Sequence, residues 1–185
     1  QTASRINDYP LTMIPGLFAC PPELAEAVAT ATGRVIIGPR AASKTADFQI
    51  PAGLAPDLPE DLRPVTVTHV ETLADGLEIA VGDGAFQVWR DFATPHPDAE
   101  VILSSADGRP ALVRRGALDY LCGWPDKALF DSILAQACAQ TGVTTIPLPD
   151  GLRLRRAGNQ AFVMNYSDTS FDLATLGSSP EILHG

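Results

Sequence analysis

Leu11 to Pro15 is a short apolar run that ends in Pro-Gly, and Pro21-Pro22-Glu23 then opens a stretch in which Leu24, Val28 and Ala31 recur at helical spacing. Gly33 stands where a helix C′ residue is expected. Val35-Ile36-Ile37 follows as a continuously apolar run, the pattern of a strand buried on both faces. Strand, helix and strand in this succession predict a βαβ unit with parallel strands and a right-handed crossover. The residues before Asp8 cannot supply the earlier strands that such a sheet normally contains, so the expectation is a sheet truncated on its N-terminal side.

The pattern changes at Pro39. From there to Pro64 the chain reads as a long loop, with Ala41, Ala42, Ser43, Lys44 and Thr45 followed by prolines at 51, 56, 59 and 64, and long loops in compact domains usually contact something. Strand-like runs follow at Val65–Glu71, Leu77–Val81, Phe86–Phe92 and Ala99–Ser104, separated by Asp75-Gly76, Gly82-Asp83-Gly84 and Pro95-His96-Pro97. They predict antiparallel hairpins inserted into or beside the sheet. Asp107-Gly108-Arg109-Pro110 is a turn before Ala111-Leu112-Val113, and Ala117–Leu121 reads as a further strand. After Trp124-Pro125-Asp126, the residues Leu129, Phe130, Ile133, Leu134, Ala137 and Cys138 trace a helical stripe that Gly142 stops. Beyond Pro147 the period changes to two, with Leu152 and Leu154 alternating with Arg153 and Arg155. Ala161–Asn165 follows across Ala157-Gly158-Asn159 as the second arm of a hairpin. The tail Gly177–Gly185 reads as linker or as the stump of further strands.

With 185 residues there is room for one α/β domain and a short remainder, and the boundary is placed at 146/147. Hydrophobic residues make up 45% of the chain and charged residues 19%, enough apolar surface to fold. The formal charge of −9 opposes binding to nucleic acid or to an anionic membrane surface. Cys20, Cys122 and Cys138 are far apart and odd in number, which argues against a disulfide framework and fits a reducing compartment; cytoplasm is the default expectation.

Chemistry is sparse. No Gly-x-Ser-x-Gly elbow occurs, and Glu60-Asp61 or Asp91 with Glu100 read as solvated surface, so no catalytic residue is nominated. His69, His96 and His184 share no ligand spacing, so neither a metal nor any other cofactor is expected. Cys20 precedes a helix, where a thiol can be activated, but Phe18-Ala19-Cys20-Pro21-Pro22 lacks the glycines of a tight elbow; a small buried thiol is the preferred reading. The candidate binding or interface residues are Arg40, Ser43, Lys44 and Thr45 on the long loop, with Trp89 and Arg90 on an alternating strand. Trp and Arg are the types that anchor interfaces.

Taken in order, several segments resemble the middle and C-terminal parts of glycoside hydrolase family 42 β-galactosidases. The most specific is Gly38-Pro39-Arg40-Ala41-Ala42-Ser43-Lys44-Thr45 with Asp47-Phe48 and Ile50-Pro51, similar to the loop after a sheet strand in that family's trimerisation domain. Tyr9–Leu17 with Pro22-Glu23-Leu24, the turn Gly108-Arg109-Pro110-Ala111, and the segments Asp150–Arg156 and Phe162–Asp168 match in the same order. The resemblance implies a flavodoxin-like or class I glutamine amidotransferase-like three-layer α/β domain followed by the start of a small β domain. It also implies a catalytic TIM barrel elsewhere in the polypeptide, self-association as a homotrimer, and no catalytic role for this segment. Two rival readings are a stand-alone amidotransferase-like enzyme using Cys20 and a sugar-binding module using Trp89 and the Ser43 loop.

Overall fold

The computed structural model describes residues 3–172, so the tail Gly177–Gly185 and His184 lie outside the described residues. Two compact units are present, residues 1–144 and 145–185. In the first, a short 3-10 helix, Ala3–Asp8, leads into β1 (Leu11–Ile14), α1 (Pro22–Ala29) and β2 (Arg34–Ile37). The chain continues through β3 (Val65–Thr72), β4 (Ile79–Val81), β5 (Gly84–Pro95), β6 (Glu100–Ser104), β7 (Pro110–Arg115), β8 (Leu118–Leu121) and β9 (Gly123–Pro125) to α2 (Lys127–Thr141).

The βαβ unit forms as expected, with β1 and β2 parallel and Leu11 opposite Arg34. Pro21 is the extended residue before α1 and Pro22 sits inside its first turn, where a missing N–H costs nothing. The helix does not run to Gly33, however. It stops at Thr30, whose hydroxyl bonds the Glu26 carbonyl at 3.0 Å and competes with the helical ladder. Gly33 serves a different purpose: a β-carbon there would lie 2.6 Å from the carbonyl oxygens of both Tyr9 and Pro10, so only glycine lets β2 start beside the chain entering β1.

The main sheet has the order β1-β2-β8-β7-β6, in which β1, β2 and β8 are parallel and β7 and β6 antiparallel. A second sheet is built from β3-β5-β4, with β9 also paired to β5. The predicted hairpins therefore divide, β3 to β5 making their own sheet and β6 extending the main one.

Two cores lie on opposite faces of the main sheet. Val35 and Ile37 of β2 point with Leu118 and Tyr120 toward Leu24 and Val28 of α1. Ile36, one position out of phase, points with Leu121 toward Leu129, Ile133 and Ala137 of α2. This two-sided burial is why β2 is apolar throughout, each such side chain contributing about 1.5–3 kcal/mol. Asp126 caps α2 by accepting the Leu129 N–H at 2.7 Å, and Gly142 ends it in the left-handed conformation, φ 70°. Strand β5 serves both cores: Phe86 packs on the α2 side and Ala93 against the α1 side. Between them the register against β9 slips from Gln87 to Arg90, and Val88 adopts φ 62°, a bulge that bends the strand around the end of β8.

In the second unit, β10 (Leu152–Ala157) and β11 (Gln160–Asn165) form an antiparallel hairpin with Ala157 opposite Gln160. Its two-residue turn uses Gly158 at φ 61°.

Candidate functional site

Polar groups converge where β2 and β8 end and β5 bends past them. Arg40 follows β2 in the left-handed region, φ 61°, which turns its guanidinium back over the Trp89 ring, 4.5 Å from the centroid. Trp89 and Asp91 lie two apart on β5, and the indole Nε1 donates to Asp91 Oδ1 at 2.6 Å. Tyr120 of β8 donates its hydroxyl to Asp91 Oδ2 at 2.6 Å, and the Arg40 backbone N–H adds a further bond. The Asp91 N–H is itself fixed by the Cys122 carbonyl at 2.7 Å.

Asp91 is only 4% exposed, which corrects its reading as solvated surface; Glu60, Asp61 and Glu100 are exposed as expected. Burial raises the Asp91 pKa, opposed by the Tyr120 and Trp89 hydrogen bonds and by Arg40. Burial and the neighbouring Asp91 charge likewise push the Tyr120 phenol well up. Every oxygen of this carboxylate is engaged, so the cluster works as a clamp joining the Arg40 loop, β5 and β8 rather than as an acid or base.

An apolar pocket of about 370 Å³ opens next to Pro39, walled by Met13, Pro15, Trp124, Pro125 and Phe130. It lies at the carboxyl ends of β1, β2 and β8 and beside the start of α2, the crevice where open α/β sheets place their contacts. Trp124 is 53% exposed at its rim.

The long loop is tethered from beneath. The Ala42 and Lys44 N–H groups donate to the carbonyls of Leu17 and Phe18 at 2.6 and 2.7 Å, and Ala41 and Ala42 are buried. Ser43 and Lys44 are half-buried, and the Thr45 hydroxyl is spent within the loop, accepting the Gln49 N–H at 3.1 Å. Beyond it the loop presents Phe48 against Phe18, ring centroids 5.5 Å apart, and both rings are about three-fifths exposed.

Of the nominated residues, Arg40 and Trp89 meet, and Ser43, Lys44 and Thr45 stand on the same loop. Arg90 does not join them. It is drawn to Glu71 at 3.0 Å and Asp107 at 2.5 Å and lies over Phe92, which also stacks on His69. Asp91, Tyr120 and the Phe18–Phe48 pair escaped the sequence reading, although the alternation Trp89-x-Asp91 places both side chains on one face of a strand. A second missed group is Asp119, 1% exposed, which receives Arg114 through two bonds of 2.8 and 2.9 Å and Arg34 at 3.4 Å.

Cys20 does not have the setting of a nucleophile. Burial, followed by the charges of Asp57 and Glu23, raises its pKa, and the cavity beside it is about 20 Å³, too small for a substrate. Among the described residues, no group of three or more His, Cys, Asp or Glu could hold a metal ion. No helix among them is long and apolar enough to cross a membrane.

Val88 combines two unusual properties, a left-handed backbone and 60% exposure. A β-branched residue in that region carries about 1–2 kcal/mol of strain, and little burial offsets it here. Val88→Gly is expected to stabilise the fold by about 1 kcal/mol, raising Tm by roughly 2–4 °C in a thermal melt. An unchanged or lower Tm would place the source of the bend elsewhere.

Residues 1–144 match the family model described as the beta-galactosidase trimerisation domain. A beta-galactosidase of Thermus thermophilus is 37% identical over 167 residues, covering 88% of this chain and 26% of that protein. Among solved structures, the beta-galactosidase of the psychrophilic Marinomonas ef1 gives a TM-score of 0.77 at 32% identity, over 89% of this chain and 26% of that one. The polyextremophilic beta-galactosidase of the haloarchaeon Halorubrum lacusprofundi gives 0.75 at 29% identity, over 86% and 26%. The chain thus spans about a quarter of the length of these relatives. Its mixed α/β fold is similar to the corresponding region of solved β-galactosidases.

Proposed function

Since the chain belongs to the β-galactosidase trimerisation domain family, we propose that residues 1–146 are a non-catalytic oligomerisation scaffold that holds three copies of the parent protein together. In this reading, hydrolysis of terminal β-D-galactosides belongs to a TIM barrel on another part of the polypeptide, and residues 147–185 begin a C-terminal β domain. The observation that carries the proposal is the match over residues 1–144. The apolar surface exposed around Phe18, Phe48 and Trp124 supports it, because patches of that kind on a soluble domain mark association. A flavodoxin-like or amidotransferase-like description is the finer form of the fold proposal, supported by parallel β1, β2 and β8 with α1 and α2 on opposite faces. Three free thiols favour a reducing compartment such as the cytoplasm.

Light scattering coupled to size-exclusion chromatography tests the scaffold role. The expected mass is three times that of the chain, falling on dilution as a reversible association requires. A monomer at every concentration would overturn the proposal.

A further inference from the structure

A closed ring of three identical subunits cannot be made from a self-complementary patch. Cyclic threefold symmetry needs a heterologous contact, in which one surface of each copy meets a different surface of the next. Among the described residues, an exposed apolar loop and an apolar pocket of suitable size are both present. The loop is that of Phe48: Phe18 and Phe48 in ring contact, followed by Ile50, which is 79% exposed. The pocket is the one beside Pro39, about 370 Å³ between Met13, Trp124 and Phe130.

Resting on the trimer reading above, we propose that Phe48 and Ile50 of one copy insert into the Trp124–Phe130 pocket of the next, so that the loop is the plug and the crevice at the carboxyl ends of the strands the socket of the ring. The volumes agree. A dry cavity of about 150 Å³ already holds benzene, so the socket admits a phenyl ring together with a branched aliphatic side chain. The areas agree as well. An aromatic side chain has about 150–250 Å² to bury, so at its exposure each phenylalanine leaves on the order of 100 Å² uncovered. With Ile50, the plug offers roughly 300 Å² or more of apolar surface. A standard interface needs about 800 Å² per partner, little more than half of it apolar. The polar remainder has candidates at the plug's base: Arg40, held over Trp89, and Lys44, whose N–H is tied to the Phe18 carbonyl.

The tethers also make the plug rigid, which lowers the entropy lost on docking. The Ala42 and Lys44 N–H bonds and the closed turn between Thr45 and Gln49 fix its base and its tip.

Two variants and their mixture test this. Phe48→Asp with Ile50→Asp removes the plug, and Trp124→Glu spoils the socket; all three positions are at least half exposed, and circular dichroism melts check that folding is kept. Each variant alone is expected to sediment as a monomer, with association weakened about thirtyfold or more, as for a central anchor. An equimolar mixture retains one intact plug facing one intact socket, so it is expected to form a dimer and no larger species. Variants that stay trimeric, or a mixture that stays monomeric, would overturn the plug and socket. A wild-type chain that is itself monomeric would instead overturn the scaffold reading on which this rests.

Discussion

Replacing Asp91 with alanine is expected to lower the free energy of unfolding by about 3 kcal/mol, and Tm by roughly 6–12 °C. The carboxylate is the common acceptor for Tyr120, Trp89 and the Arg40 backbone, within a site that is almost closed to water. Alanine leaves a fully buried phenol and a half-buried indole without partners, and each orphaned group costs about 1–3 kcal/mol. Asparagine separates geometry from charge. Its carbonyl can accept from Trp89 Nε1 while its amide donates to the Tyr120 oxygen, so Asp91→Asn is expected to lose less than about 1 kcal/mol at neutral pH.

The pH dependence follows from the raised folded-state pKa. Between the ordinary carboxylate value of 3.8 and that raised value, the native state binds the extra proton. The contribution of Asp91 is therefore fully present below 3.8 and is lost as pH rises through the folded pKa. Asparagine cannot ionise, so its deficit relative to wild type is expected to widen on acidification. Chemical denaturation between pH 4 and 7 checks both statements. A deficit for asparagine equal to that for alanine, or one that shrinks toward acid, would contradict the account.

The second large effect is expected at Gly84, where β5 begins. A β-carbon there would lie 2.4 Å from the Leu129 backbone nitrogen and 2.5 Å from Asp126 Oδ1, the atom that caps α2. Backbone on one side and a committed cap on the other leave nothing that can swing aside. Gly84→Ala is expected to cost about 2–4 kcal/mol, combining a displaced helix start with loss of its cap. Gly53→Ala is the control: nothing lies within 4 Å, and a change within about 0.5 kcal/mol is expected. Urea titrations of the two variants decide it, and similar midpoints would mean that α2 yields at no cost.

Much of this architecture was legible in the residue pattern because local rules governed it. The three-apolar run of β2, the Pro21-Pro22-Glu23 start of α1, the capped stripe of α2 and the turn at Gly158 each followed from a period and a terminator. What escaped depends on distant partners. Asp91 resembles any surface carboxylate until Tyr120, 29 positions away, is brought against it. Gly33 looks like a helix stop until β1 is laid beside it. Within the candidate site, Arg40 and Trp89 were found by residue type alone. That Arg90 turns instead to Glu71 and Asp107 could not be read from type, because the register shift beside Val88 sets which neighbours it meets.

The mixed sheet also orders events in time. Its antiparallel half, β6-β7-β8, joins neighbours across short turns and can zip on a timescale of about microseconds. The parallel seam between β2 and β8 is different, since Arg34 reaches Asp119 across 85 positions. Closing a loop of that length costs about 4 kcal/mol of chain entropy before any contact repays it. The βαβ unit is therefore expected to dock after the antiparallel part has formed, and substitutions along that seam are expected to speed unfolding more than they slow folding.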